Sequence, residues 1–190
     1  MTVSLINTPH GRRLRIEGDL PPGFHGEQQG DIWICPLDAA NAAAVRGLLS
    51  WTAPTTVGLR KSVGCGDRLG LATPGHIAAV REGDMFPVFA QQSVREMERS
   101  RRTAQDVLDD ATWGVLAMDY RDGYGCDADH LKNIDAIDTA IAAGFVGFTL
   151  DPGDNVDTAA ETDDEATLRR KYAALPWEKL EIAPGDLLRR

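Results

Sequence analysis

The sequence predicts an α/β protein: a parallel sheet built from alternating strands and helices, preceded by a small α+β extension. Three observations predict it. From residue 54 onward, short apolar runs alternate with amphipathic segments, the order that gives a parallel sheet. Each of these runs is followed by a polar cluster, as at the carboxyl ends of strands in parallel α/β folds. The first 50 or so residues follow a different pattern and read as a unit of their own. The expected division is therefore 1–53 for the extension and 54–190 for the parallel part, with the boundary in Trp51–Pro54.

In the extension, Leu14–Ile16 and Ile32–Cys35 read as strands, joined through the turn-rich Gly18–Gly23. Asp38 is placed to cap a helix running through the alanines to Leu49, with Val45, Leu48 and Leu49 on one face. Thr56–Leu59 is the first strand candidate of the parallel part. Thr73 and Pro74 open a helix that reaches Arg81. Phe86–Ala90 is the second strand, its Pro87 suited to a strand start. Ser93–Arg99 is a short helix. Thr103 opens a longer one through Met118, with Val107, Leu108, Ala111, Val115 and Met118 at helical spacing. Cys126–Leu131 is extended, Ile134–Ala143 is a helix closed by Gly144, and Phe145–Leu150 is the strongest strand in the chain. Pro184–Asp186 reads as a last helix entry.

Composition narrows the function. The chain has 190 residues, 43% hydrophobic and 26% charged, which is ordinary for one globular domain. Twenty Lys and Arg against 29 Asp and Glu give a net charge of -9. That balance argues against nucleic acid and against an anionic membrane as partners. It allows a small anionic substrate, because one Arg in a pocket outweighs the global field. No apolar run approaches a membrane span, and Met1–Arg13 lacks the apolar core of a signal peptide; the expected compartment is the cytoplasm. Cys35, Cys65 and Cys126 are widely spaced, with neither a disulfide framework nor a zinc ribbon in their pattern.

The polar clusters at the strand ends are Gly66-Asp67-Arg68, Gln91-Gln92-Ser93, the group Asp127, Asp129, His130 and Lys132, and Asp151-Pro152-Gly153-Asp154. They are expected to meet at one end of the sheet, although strand ends also need polar residues simply to cap the helices that follow. Gly64–Gly70 departs from a dinucleotide fingerprint, since the third glycine comes one residue late; NAD is not expected. The segment reads either as a loop letting a ligand approach the backbone or as a plain tight turn. His10 and His25 lie among turn residues, and His76 in a first helical turn. His130 stands among carboxylates, but one histidine with such neighbours does not complete a divalent-metal site. Asp151–Glu165 holds seven acids and neither Lys nor Arg, and reads as a solvated loop. Arg99, Arg101 and Arg102 form a basic knot that a helix dipole explains.

Longer motifs say more. Gly66–His76, Phe89–Met97, Asp109–Gly114, Asp127–Lys132 and Asp151–Asp154, in this order, resemble signatures of the tagaturonate epimerase family, and the likeness runs from about residue 55 to Leu175–Glu178. The resemblance implies a TIM-like β/α barrel, of which this chain would be the N-terminal half. A closed barrel needs eight strands, and about four are legible after residue 55. It implies an isomerase that interconverts D-tagaturonate and D-fructuronate in hexuronate catabolism and depends on a divalent metal cation. Asp129 matches the proton acceptor and His130 a metal ligand. Asp67, Arg68, Gln91, Gln92 and Asp151 fall in matching motifs as substrate-binding candidates. The proton donor and the remaining ligands would lie beyond Arg190.

The reaction constrains the mechanism. The two ketoses differ at a hydroxyl carbon one removed from the position beside the ketone. Abstraction of an α-proton cannot invert that centre. A retro-aldol cleavage and re-addition can, with a base on the hydroxyl and a metal to stabilise charge. Asp129 and His130 would point to opposite faces of a regular strand, so both serve one site only if the strand breaks there. A fragment of this kind, with open sheet edges, is expected to self-associate. Another metal-dependent sugar isomerase or aldolase, or an inactive sugar-binding fragment, is the competing reading.

Overall fold

The computed structural model describes residues 1–180; the expected helix entry at Pro184–Asp186 lies outside them. Met1–Asp151 form one compact unit, and the chain from Pro152 onward forms a second.

The N-terminal sheet is antiparallel. Its strands β1 (Thr2–Thr8), β2 (Gly11–Glu17), β3 (Glu27–Gln29) and β4 (Ile32–Cys35) lie in the order β1-β2-β4-β3. The two strands expected from the sequence are β2 and β4; β1 and β3 flank them at the edges. Helix α1 (Ala39–Leu48) starts at Asp38, whose side chain accepts from the Asn41 N–H at 3.0 Å. Val45 faces the core, whereas Leu48, expected beside it, is exposed.

The second sheet is parallel throughout, in the order β5 (Ser62–Gly64), β6 (Phe86–Ser93), β7 (Gly125–Leu131) and β8 (Phe148–Leu150). Four strands in sequential order, connected by helices, make half of a β/α barrel. The first strand lies later than expected: Thr56–Leu59 is irregular, Leu59 is fully exposed, and pairing begins at Ser62 opposite Phe86. The last strand is shorter than expected. Gly144 takes the left-handed conformation at the end of α5 (Ile134–Ala143), and the Phe145 N–H returns to the Ala140 carbonyl, so Phe145 still belongs to the helix end and pairing begins only at Phe148. Helix α2 (Thr73–Val80) begins without a side-chain cap; Thr73 is already helical.

Helices α3 (Val94–Ser100) and α4 (Ala104–Ala117) follow β6, each opened by a capping box, Ser93 with Glu96 and Thr103 with Asp106. Ten of the 14 residues of α4 are buried, because it serves two cores. Val107, Leu108, Ala111 and Val115 pack with Ile77, Phe89, Ala128 and Phe145 under the parallel sheet. Trp113 and Leu116 pack with Leu14, Ile16, Cys35 and Val45 of the extension. Arg46 of α1 reinforces that second contact, donating to Asp109 at 2.7 Å and to Thr112 at 2.9 Å.

In the second unit, α6 (Glu165–Ala173) is capped by Asp164, and α7 spans Trp177–Leu180. Within the acidic stretch Asp151–Glu165, Asp157 and Asp163 are not free in solvent: both pair with Lys171 of α6, at 2.6 and 2.5 Å. No helix among the described residues is long and apolar enough to cross a membrane.

Candidate active site

Parallel register decides which side chains meet. Gln91 lies opposite Asp127 and Ser93 opposite Asp129, so the polar ends of β6 and β7 are level. Alternation then sorts them by face. Gln92 and Ala128 turn toward the helices, where both are buried. Gln91, Asp127 and Asp129 turn to the opposite face, the one that would line a barrel.

His130 departs from this alternation. Its φ is +61°, and the register between β7 and β8 shifts between Ala128 and Leu131. The strand is broken at this one residue. The break swings the imidazole back so that Nδ1 lies 2.8 Å from Asp129 Oδ1. The contact sets the Nδ1 edge of the ring against the carboxylate and leaves Nε2 on the ring's other side. His130 lines a cleft of about 420 Å³ together with Ser93, Arg95, Glu98, Lys132, Asn133 and Asp151. Lys132 Nζ lies 3.9 Å from Asp151 Oδ2, and the Asp151 N–H donates to the Leu131 carbonyl at 2.8 Å, which holds the loop after β8 against the end of β7.

The other sequence candidates are committed elsewhere. Asp67 accepts from the backbone N–H groups of Leu69, Gly70 and Ala72 at 3.1, 2.8 and 2.7 Å. Burial disfavours its charge, but these bonds outweigh burial and hold its pKa below the ordinary carboxylate value. Its carboxylate shapes its own loop. Arg68 is exposed and paired with Glu96. Gln92 is 2% exposed and bonded to Ser100 and Arg102 on the helix side, each at 3.0 Å or less. The four strand-end clusters do lie at one end of the sheet, with the Asp67 N–H donating to the Gln91 carbonyl at 3.4 Å. Of the candidate side chains, His130 and Asp151 line the cleft, Asp129 contacts His130, and Gln91 lies on the same sheet face as Asp129, one pair deeper.

Arg102 corrects the reading of the basic knot. It is half-buried, and donates to the Asp67 carbonyl and Gln92 Oε1, both at 2.8 Å, and pairs with Asp110. It joins the loop after β5, the end of β6 and helix α4, work that a helix dipole does not require.

A divalent metal finds one fitting nitrogen here. A ligating histidine commonly has its other ring nitrogen against a carboxylate, as His130 Nδ1 has Asp129. Among the described residues no cluster of three or more His, Cys, Asp or Glu is placed to hold a metal.

Comparison with known proteins bears directly on this geometry. Residues 18–183 match the tagaturonate epimerase family. The chain belongs to the tagaturonate epimerase family. It is 42% identical to the tagaturonate/fructuronate epimerase of Thermotoga maritima, over 96% of this chain and 43% of that protein. Crystal structures of the fructuronate–tagaturonate epimerase of Cohnella laeviribosi, native and with one glycerol, superpose with TM-scores of 0.84 at 34% identity, over 94% of this chain and 37% of theirs. The chain thus spans about two fifths of the length of these members of the tagaturonate epimerase family. The match covers the whole half barrel and most of the extension.

From the sequence, Asp127 is named only as a member of its strand-end cluster, although it alternates in phase with Asp129. Thr149 gave no signal: an isolated threonine in a short strand is common β-sheet composition.

Proposed function

We propose that the full-length protein carrying this sequence is an epimerase interconverting D-tagaturonate and D-fructuronate, and that this chain supplies the base and one metal ligand. The observation that carries the reading is the Asp129–His130 pair, formed by a left-handed break at the carboxyl end of β7 within a motif that resembles the family. Its identity to proteins named for this reaction supports the substrate.

His130 Nε2 would hold the divalent cation, with Asp129 Oδ1 fixing the ring. When bound, the cation supplies electrostatic stabilisation of negative charge on substrate oxygens. Asp129 Oδ2 takes the proton of the hydroxyl on the carbon to be inverted. The bond from that carbon to its neighbour on the ketone side breaks, the aldehyde rotates, and the bond re-forms on its other face. Asp129 then returns the proton.

The test is to incubate the purified full-length protein and a divalent metal with each hexuronate and, separately, with neutral ketoses, following products by NMR. Interconversion of the hexuronates alone is expected; its absence refutes the reading. Carbon-bound deuterium from heavy water in the product would refute the retro-aldol step.

A further inference from the structure

The face of the parallel sheet turned away from the helices carries a hydrogen-bonded row that joins three strands and abuts the fourth. Gln91 of β6 donates through Nε2 to Asp127 Oδ2 of β7 at 3.0 Å. Thr149 of β8 donates through Oγ1 to the same carboxylate at 2.9 and 3.0 Å. On the other side, the Gln91 amide lies over Gly64 of β5, so closely that a Cβ there would overlap it. Gln91 and Asp127 are half-buried, and Thr149 is exposed.

Asp127 sets the polarity of this row. A carboxylate only accepts. Gln91 must therefore show it the NH₂ end, which turns Oε1 over the space left by Gly64. Thr149 must give it the hydroxyl proton, which leaves the Oγ1 lone pairs for other donors. No donor to Gln91 Oε1 occurs among the described residues. The outcome is two acceptors, Gln91 Oε1 and Thr149 Oγ1, on either side of Asp127 and one residue pair below Asp129.

We propose that this row is a hydroxyl-reading strip for the carbon chain of the substrate, with Gln91 and Thr149 as binding residues and Asp127 as the positioning residue that keeps both in acceptor orientation. The inference rests on the proposed epimerase reading for its ligand, a polyhydroxylated sugar acid. The hydroxyl protons of such a chain are the donors that an acceptor strip selects.

The test is Asp127→Asn in the full-length protein. Asparagine has the same shape and can keep a hydrogen bond to Gln91 by letting that amide flip, so a merely structural role predicts little change. The strip predicts a rise in KM of about tenfold, the scale of one lost hydrogen bond, with kcat changed less and the thermal midpoint retained. The double variant Asp127→Asn/Gln91→Glu is the rescue. The amide introduced on β7 donates to the carboxylate introduced on β6, whose second oxygen again accepts over Gly64, and KM should return toward the wild-type value. Wild-type KM in the single variant, or no recovery in a folded double variant, overturns the proposal. If the wild type turns over neither hexuronate, the epimerase reading fails by itself. The strip is then judged by titrating D-galacturonate into the same proteins by NMR: weaker binding by Asp127→Asn supports it, and equal binding or none by the wild type overturns it.

Discussion

At the scale of single residues, the left-handed backbone at His130 costs on the order of 1–2 kcal/mol for a side chain with a Cβ, and the contact it obtains is the Nδ1 bond to Asp129. Asp129→Asn should lower epimerase turnover by roughly 10²–10⁴-fold, the range for loss of a general base, while circular dichroism stays that of the wild type. Retained turnover would remove Asp129 from the mechanism. His130→Ala should first lower metal occupancy, read by mass spectrometry of the desalted protein; unchanged occupancy would count against Nε2 as a ligand. Sequence made Asp129 and His130 visible because an aspartate beside a histidine is rare chemistry in a resembling motif. It left the directions of Asp67 and Gln92 open because residue type does not tell direction. Gln91 and Gln92 are adjacent and identical, yet one faces the open side of the sheet and the other hydrogen-bonds Ser100 and Arg102 at 2% exposure.

At the scale of elements, α4 is held to its neighbours by two charge pairs, one largely buried and one half-buried, that behave differently. Arg46 and Asp109 join α1 to α4 at side-chain exposures of 13% and 9%. Arg46→Ala should destabilise by roughly 3 kcal/mol because it strands a buried carboxylate, whereas the double change Arg46→Met/Asp109→Leu should be nearly neutral; denaturant melts of the three proteins decide it. Asp110, beside Arg102 and under Gly70, has its pKa raised by burial from 3.8 to about 6, with Arg102 pulling the other way. A raised folded pKa means the fold binds this proton more tightly than the unfolded chain does, so the stability it contributes is present below about pH 4 and is lost as the pH rises to about 6. Asp110→Asn lacks that loss. The wild-type thermal midpoint should therefore fall relative to the variant across this window and run parallel to it above; parallel curves throughout would mean that Asp110 stays charged. Elements with strong local signals were legible: α5 ends at Gly144 as read, and the fully buried Phe86–Ala90 run is the heart of β6. The first parallel strand was not, because Ser62-Val63-Gly64 has little apolar content and forms only against β6, while Thr56–Leu59 has the better β composition.

At the scale of the molecule, β5 and β8 each pair on one side only among the described residues, and Phe148 and Leu150 of β8 are exposed at 40% and 65%. Unpaired strand edges with apolar neighbours invite pairing with another chain. We propose that the 190-residue chain, expressed by itself, self-associates through these edges. Sedimentation should find dimers or larger species at micromolar concentration, and a monodisperse monomer would refute this. The half barrel was legible as alternation of strands and helices, but its union with the extension was not. That union depends on Trp113 and Leu116 facing away from the parallel sheet, on a helix whose periodicity also fits a single apolar face.

The double duty of α4 has a consequence for synthesis on the ribosome. Leu14, Ile16 and Cys35 leave the exit tunnel early, but Trp113 and Leu116, which complete their core, lie about 80 to 100 positions further on, a delay of roughly 4–20 s at ordinary elongation rates. For that interval the nascent antiparallel sheet has only Phe24 and α1 against its apolar face. Pausing translation just before codon 113 should make the emerging chain bind trigger-factor-type holdases, and pausing after α4 has cleared the tunnel should release it.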